Sequence, residues 1–487
     1  MNATMSRVAL LLLILPVTGC MDTVSRTMDA AFDLHQPYRA QSEPPQDQDS
    51  DTQTSANASD IQQWWTLYDD ADLNALVTHA LSNNPDLNQI RARLEQAQAV
   101  TRQSQSSLLP ALNLTGERKG YKGTNEPSSS FDLNGAASYE LDLWGKNRAT
   151  TKSSTLSEQA TLEDLYAAAI TLSATIVENW LDILSLVEQE ELIHKQIDVN
   201  RTVLELQEKR FEMGASSALD VLQQQETLAR SKAQLPDILS AQQQATNNIS
   251  LLIGEMPHNL LQINTKPLPN ALPIPPSGLP SNLLANRPDI IAAWLRLLSA
   301  DWAAKAAFSD RLPSFDLSAI YSTSDGQISG LFDTWLLNMA ISATAPVFDG
   351  GRRKAEQVRQ EAIADERFQA YRQTVLTAVN DTENALVRNT YQDKKIKALQ
   401  EQLAASHKTL EQAKFSYANG KSSYINVLNS LNNTQSLELQ IIIEKLTQAK
   451  ERVRLYRALG GRSWAQNLQT TIMQIQPIIQ TEQIKDE

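Results

Sequence analysis

The chain has 487 residues, of which 41% are hydrophobic and 6% aromatic, and its formal net charge is −13. This composition excludes an intrinsically disordered chain, and the acidic excess argues against nucleic acid as a partner. The length allows two or three ordinary domains or one elongated domain.

The N-terminus has the features of a secretory signal. The apolar run from Val8 to Leu15 is too short for a membrane helix, which needs about 20 residues. Small residues and Cys20, the only cysteine of the sequence, follow this run, and the motif VTGC resembles the lipobox of bacterial lipoproteins. The resemblance implies cleavage of a signal peptide, residues 1–19, and N-acyl and S-diacylglycerol lipid on Cys20. Because Met21 rather than an aspartate comes next, it also implies sorting to the outer membrane. The alternative is an ordinary signal peptide with an incidental cysteine.

A polar stretch separates this signal from the first folded segment. Residues 36–59 are rich in Asp, Gln, Ser and Pro, which favours a flexible connection. We therefore predict a lipid anchor and polar tether over residues 20–60. Trp64 and Trp65 then indicate the start of folded structure.

The rest of the sequence contains an internal duplication. Asn84-Pro85-Asp86-Leu87 matches Arg287-Pro288-Asp289-Ile290 at an offset of 203, and GASSALDVL from Gly214 matches GKSSYINVL from Gly420 at an offset of 206. The ordered Pro and Gly positions predict two structural repeats. The change in offset falls before Gly145, where we predict a loop, because loops tolerate changes in length.

The predicted boundaries are a first repeat at 61–265, a proline-rich linker at 266–281, a second repeat at 282–462 and a C-terminal tail at 463–487. Apolar spacing predicts the same order of elements in both repeats: a helix, a β-hairpin, a very long helix, a turn and a further helix. The predicted ranges in the first repeat are about 73–109, 112–143, 146–213 and 219–253. In the second repeat the hairpin is predicted at about 314–348, followed by helices at 352–419 and 424–459.

The long helices predict an elongated molecule. No Pro or Gly interrupts residues 146–213 or 352–419, and at 1.5 Å per residue each helix would be roughly 100 Å long. The two shorter helices of a repeat would reach that length if they stacked end to end. Two heptad stripes of the second repeat, Ile396 to Tyr417 and Leu439 to Tyr456, predict an antiparallel pair.

Glycines and serines mark the predicted tips of the helical hairpins. Gly214 and Gly420 follow the long helices and can adopt the left-handed conformation that ends a helix. The serines that follow, including Ser216 and Ser422, can cap the next helix.

The strand regions alternate between apolar and polar residues. Trp335, Leu337, Met339, Ile341, Ala343, Ala345 and Val347 are predicted to share one face, with Asn338, Ser342 and Thr344 opposite. Phe131, Leu133, Ala137, Tyr139 and Leu141 alternate with polar residues in the same way. A half-buried soluble sheet would alternate identically and remains the alternative. Trp144 and Trp335 lie near strand ends, where aromatic girdles are expected, and simple packing of a single tryptophan is the alternative.

If the sheet is in a membrane, the number of strands predicts how many protomers assemble. Four strands cannot close a barrel, and hydrocarbon does not tolerate open sheet edges. Two chains would give eight strands with a filled interior, whereas three give twelve and leave room for a lumen. The predicted fold class is therefore mainly α with a small β part. We predict a trimeric outer membrane barrel of twelve strands, four per protomer, that continues into a long periplasmic α-helical coiled-coil barrel.

Seven phrases along the chain resemble the TolC-type outer membrane efflux proteins, and more closely their OprM-like lipoprotein branch. They are the WW pair at Trp64, YELDLWGK at Tyr139, RFEMG at Arg210, LLIG at Leu251, NRPDI at Asn286, PVFDGGR at Pro346 and LYRALGG at Leu455. The resemblance implies a homotrimer in outer membrane lipid that docks a periplasmic adaptor and an inner membrane RND-type pump. It implies a channel without cofactors that passes drugs or other small toxic compounds.

The resemblance also implies a periplasmic gate at the helical hairpin tips. Carried onto this sequence, the apolar ring is Ile425, and the positions that are commonly aspartate are Asn426 and Asn429. Asp220, which matches Asn426 through the repeat, is the remaining carboxylate; an acid near the start of a helix is its alternative role. Contacts with the adaptor are expected at the tips, around Gly214, Ser216, Gly420 and Ser422.

Three other functions are alternatives, and the sequence supports them to different degrees. An enzyme is disfavoured because the five histidines are far apart and no HExxH, GxSxG or phosphate-binding glycine loop occurs. A trimeric coiled-coil scaffold without a pore would explain the heptads but not the paired hairpins. A protein-secretion or metal-export channel of the same fold is the third alternative, and the sequence does not name the cargo.

Overall fold

Two copies of one arrangement of helices and strands make up the protein. The structure is a computed structural model and describes residue 38 and residues 63–122, 128–257, 266–275 and 280–460. The predicted signal peptide, the lipid site at Cys20 and the C-terminal tail lie outside the described residues. Of the predicted tether, the structure describes Tyr38, which is buried in the apolar cluster of the second repeat.

The first repeat opens with a short 3-10 turn, Trp64–Tyr68. Its helices and strands are α1 (Ala71–Asn83), α2 (Pro85–Ser106), β1 (Ala111–Tyr121), β2 (Ser128–Glu140), α3 (Lys146–Glu212) and α4 (Ala218–Ile253). The second repeat consists of α5 (Pro280–Asn286), α6 (Pro288–Ser309), β3 (Ser314–Asp325), β4 (Trp335–Thr344), α7 (Arg352–Ala418) and α8 (Tyr424–Leu459). The order of elements is the predicted one in both repeats.

Two predicted boundaries need correction. The segment predicted as one helix at 73–109 is two helices, because Pro85 lacks the N–H that a continuous helix would use. Asn84 separates them and caps α2 by accepting a hydrogen bond from the Leu87 N–H at 2.9 Å. Residues 266–275 form no helix or strand, as the prolines predicted, but α5 begins at Pro280, inside the predicted linker.

The shorter helices stack end to end beside the long ones, as predicted. α2 and α4 lie along α3, and α6 and α8 lie along α7. A glycine closes each stack, with φ of +81° at Gly254 and +96° at Gly460. A Cβ atom would lie 2.8 Å from the Asn83 carbonyl oxygen at Gly254 and 2.3 Å from the Asn286 carbonyl oxygen at Gly460. Only glycine allows the helix ends to approach so closely.

The predicted antiparallel pairing of the last two helices, α7 and α8, is confirmed, but the prediction that they pack through the two heptad stripes is wrong for the α8 stripe. The α7 stripe is buried, but its partners on α8 are Leu428, Leu431, Leu437 and Ile441. The stripe that includes Ala449, Val453 and Tyr456 joins the core of the first repeat, where Trp64 stacks on Tyr456 at 5.6 Å. α8 has neighbours on two sides and carries two apolar stripes, so spacing alone does not assign a stripe to a neighbour.

The largest apolar cluster lies where α1, α3, α4 and α8 meet, around Trp64, Trp180 and Ile249. One stretch of α3 is apolar enough to cross a membrane by composition, but 56% of that stretch is buried inside the protein. Its apolar residues are thus explained by the helical core.

The four strands form one antiparallel sheet in the order β1-β2-β3-β4, so the hairpins of the two repeats join through β2 and β3. β4 ends at Thr344, so the predicted apolar face does not extend to Ala345 and Val347. Six residues connect β1 to β2 and nine connect β3 to β4. This difference of three lies in the region where the repeat offset changes.

Candidate channel wall and hairpin tips

The sheet has one apolar and one polar face. Directly paired residues of neighbouring strands point to the same side, and Leu112, Ala137, Ala319 and Met339 form one such row across all four strands. Other members of this face are Leu114, Leu133, Leu317, Leu337 and Ile341. The opposite face includes Thr115, Glu117, Asp132, Asn134, Asp316, Ser322 and Asn338. The predicted alternation holds over most of the sheet; the exceptions include Ile320 and Leu336 on the polar face and Arg118 on the apolar face.

No other part of the described chain covers the apolar face at the edge strands. Leu112 is 79% exposed, Met339 75% and Ile341 76%. Within the residues that the structure describes, β1 and β4 each pair with only one strand, which leaves a row of backbone donors and acceptors on both edges. An exposed apolar face next to two open edges is expected of a sheet that continues into other strands within lipid.

The helices are attached to the sheet by fixed polar contacts. Asp142, just after β2, accepts hydrogen bonds from the N–H groups of Asn147 and Arg148, both at 3.0 Å, and so caps α3. Burial alone would raise the pKa of Asp142, but these bonds and the Arg148 side chain hold it below its usual range. Asp349 caps α7 through the N–H groups of Gly351 and Arg353 in the same way. The first turn of each long helix is thereby bonded to the segment that leads from the sheet into the helix.

The first hairpin tip joins α3 to α4. Gly214 has a φ of +72°, and Ser217 caps α4 by accepting from the Asp220 N–H at 3.2 Å. The Asp220 carboxylate in turn accepts from the Ser217 N–H and from the Ser216 hydroxyl, both at 3.1 Å. Asp220 is thereby used to start α4, which corresponds to its alternative role.

The second tip joins α7 to α8 and lacks that cap. Gly420 has a φ of +68°, but Ser423, at the start of α8, makes no side-chain capping bond. The Asn426 amide instead donates to the Ser422 hydroxyl at 2.8 Å. Asn426 and Asn429 line one groove between α7 and α8, whereas Ile425 is 37% exposed outside it.

The two tips are joined to each other by polar contacts. The Tyr417 hydroxyl donates to the Gln207 side chain at 3.1 Å, and the Arg210 guanidinium lies 4.8 Å from the centre of the Tyr417 ring. The Tyr424 hydroxyl donates to the side-chain amide oxygen of Gln224 at 2.6 Å. Burial raises the pKa of Tyr424, so this donor keeps its proton.

A layer of buried polar side chains lies next to these contacts, on the side away from the tips. Asn200 donates to the Ser231 hydroxyl at 2.8 Å and to the Gln435 side chain at 3.3 Å, and Gln196 donates to the Gln435 backbone oxygen at 3.0 Å. These residues connect α3, α4 and α8. Buried amides must be paired, so they fix how the helix pairs meet.

Sequence reasoning found the tips but missed these contacts between them. It placed Tyr417 in an apolar stripe and did not single out Gln207, Gln224, Asn200 or Gln435. The latter residues are amides at core positions of otherwise apolar stripes, and this pattern could have indicated buried polar contacts between helices. The structure brings Ser422, Asn426 and Asn429 together at one tip and Gly214, Ser216 and Asp220 together at the other.

A duplicated helical rod that ends in a two-faced sheet with open edges defines a class of protein: membrane channels whose wall is built from strands. The sequence matches the outer membrane efflux protein family over residues 76–255 and 279–461. The chain belongs to this family. Like its relatives, it is located in the outer membrane and extends into the periplasm, and its fold and family are those of efflux channels rather than enzymes.

Individual relatives cover most of the chain. The pyoverdine export outer membrane protein OpmQ of Pseudomonas aeruginosa is 32% identical over 83% of this chain and 88% of its own length. Outer membrane protein OprJ of the same species is 30% identical over 84% of this chain and 88% of its own length. The solved outer-membrane channel OprN superposes with a TM-score of 0.79 and is 27% identical, covering 83% of this chain and 93% of that one.

Proposed function

We propose that three copies of the chain assemble into a channel with a twelve-stranded barrel in the outer membrane and a helical tube below it. The proposal is supported chiefly by the four-stranded sheet, whose edges β1 and β4 are open and whose apolar face is exposed. Adding strands from two further copies pairs both edges and places the apolar face in lipid. The polar face then lines water.

The channel would serve a tripartite efflux system. We propose that a periplasmic adaptor binds the hairpin tips around Gly214, Ser216, Gly420 and Ser422, and that an inner membrane RND-type pump supplies cargo and energy. The cargo would be drugs or other small toxic compounds. Export of pyoverdine is a second candidate, because the name of the relative OpmQ records it.

Oligomeric state and conductance together test this proposal. The purified full-length protein should migrate as a trimer that heat converts to a monomer, and it should form conducting channels in planar lipid bilayers. A folded monomer that passes no ions would contradict the proposal, whereas a trimer without conductance would favour a scaffold.

The periplasmic gate is proposed at Ile425, Asn426 and Asn429. Ile425 is exposed on the protomer, and three copies facing one axis would form an apolar constriction. Opening would move the α7–α8 pair outward from Gly420 and break the contacts of Tyr417 and Tyr424. An adaptor shifts this equilibrium only by binding the open form more tightly.

Replacing Ile425 with Ser should weaken the closed form and raise single-channel conductance, because a hydroxyl removes apolar contact at the constriction. Ile443→Ser provides a control, since Ile443 is also exposed on α8 but lies five turns from its start. Equal conductance in planar bilayers for wild type and Ile425→Ser would place the gate elsewhere.

We also propose that Cys20 carries the lipid anchor. Mass spectrometry of the membrane-extracted protein should detect an acylated N-terminal cysteine, and Cys20→Ser should leave the precursor unprocessed. An unmodified mature N-terminus would contradict the lipid anchor without affecting the channel.

A further inference from the structure

The two hairpin tips carry opposite charge. The matched windows 202–231 and 408–437 correspond residue by residue through the repeat offset of 206. The first contains five acidic and three basic residues, a net charge of −2, whereas the second contains one acidic and three basic residues, a net charge of +2. The positive tip stands out because the whole chain has a net charge of −13.

The positive charge is concentrated in one groove. Lys414 pairs with Glu411 at 3.0 Å, which neutralises both. Lys408 and Lys421 line the groove between α7 and α8 that also contains Asn426 and Asn429. Among the described residues, no carboxylate lies within ion-pair distance of either lysine. The groove is otherwise lined by hydroxyls, amides and one alanine: Thr409, Gln412, Ala413, Ser416, Ser422 and Ser430.

The sequence of α8 adds no negative charge to this groove. Residues 424–437, the first fourteen of the helix, include no charged side chain. At the first tip, Asp220 provides a carboxylate at the third position of α4. Its counterpart Asn426 provides a neutral amide that donates to Ser422. The internal repeat therefore offers a direct comparison, in which the second tip lacks the acid that the first tip has.

Charge at the narrowest part of a tube has the largest effect on which ions pass. Rings of Lys or Arg favour anions, and walls of low dielectric constant strengthen the potential of a single sign of charge. Three copies of the groove around one axis would place two uncompensated lysines per protomer at the proposed entrance. The amides and hydroxyls there can donate hydrogen bonds to carboxylate or phosphate oxygens.

We infer that the periplasmic entrance of this channel favours anionic cargo, recognised by Lys408 and Lys421 with the amides of Asn426 and Asn429. This inference rests on the proposed function, because it needs the second tip to line the entrance of a trimeric tube. It names the charge class of the cargo, carboxylate- or phosphate-bearing small molecules.

Ion selectivity of the purified trimer tests this inference. In planar bilayers with a tenfold KCl gradient, the sign of the reversal potential should show that chloride is more permeant than potassium. The double variant Lys408→Gln/Lys421→Gln should shift it towards potassium preference. The shift should be larger at low ionic strength, where charges are less screened. Lys414→Gln is the matched control, since Lys414 is already paired on the same helix.

A second probe measures binding at the entrance directly. Citrate added to the periplasmic side should block the wild-type current more strongly than Mg²⁺ does, and the double variant should lose the block by citrate. A conducting trimer that prefers potassium, or whose reversal potential the double variant leaves unchanged, overturns the inference while the channel function stands. Loss of adaptor binding in the double variant with unchanged selectivity would also overturn it and assign the lysines to docking. Absence of any conductance would instead contradict the proposed function.

Discussion

Individual glycines of this chain have different structural tasks. Gly214 and Gly420 end the long helices in open space, so they are needed for their positive φ alone. Gly254 and Gly460 have positive φ and also lie against the backbone of the helix that continues the stack. The same residue type therefore serves as a turn at the tips and as a close contact at the stacks.

We expect Gly460→Ala to be more destabilising than Gly214→Ala. At Gly214 the cost is backbone strain of about 1 kcal/mol. At Gly460 the added Cβ atom also meets the Asn286 carbonyl oxygen, so the cost should reach roughly 3 kcal/mol. Thermal unfolding of the two variants in detergent measures the difference, and equal midpoints would contradict the close contact at the stack.

At the scale of elements, the hairpin tips are held together by side chains of α3, α4, α7 and α8. The Tyr424 hydroxyl is the buried donor to Gln224 of α4, so it links the starts of α4 and α8. Tyr417 makes a comparable link from α7 to Gln207 of α3. An outward movement of one helix pair must break both contacts.

Tyr424→Phe should make the channel open more often. It leaves the Gln224 oxygen buried without a donor in the closed tip, at a cost of about 1–3 kcal/mol, whereas the open tip exposes this oxygen to water. The open probability in planar bilayers should rise roughly tenfold. Tyr391→Phe is the control, because Tyr391 is exposed on α7. An unchanged open probability would show that this contact does not restrain the gate.

The elements also show what the sequence could and could not predict. The bounds of α3, α4, α7 and α8 were predicted closely because uninterrupted apolar spacing and terminal glycines are local signals. The neighbour that each apolar stripe of α8 packs against could not be predicted. The two stripes have the same spacing, and only the three-dimensional arrangement distinguishes them. The contacts of Tyr424 and Asn200 join residues about 200 positions apart, and no local pattern encodes them.

At the scale of the whole molecule, the two faces of the sheet should respond differently to charge. Met339 lies on the apolar face and its neighbour Asn338 on the polar face. Met339→Arg should destabilise the assembled barrel by about 2–4 kcal/mol, because it would place a charge in lipid. Asn338→Arg faces water and should have little effect on stability. The heat stability of the trimer on gels measures both, and similar losses in both variants would contradict a membrane barrel.

Three of the four pairs of corresponding helices in the two repeats have equal lengths; the exception is α1, with 13 residues, and α5, with 7. α2 and α6 each have 22 residues, α3 and α7 each have 67, and α4 and α8 each have 36. Because a helical residue adds 1.5 Å, removing one turn from α7 alone would raise its tip by about 5.4 Å relative to that of α3. Tyr417 would then no longer be level with Gln207. A deletion in one long helix should therefore be tolerated only with a matching deletion in the other three helices that run beside it, whereas the loops of the sheet can change length independently.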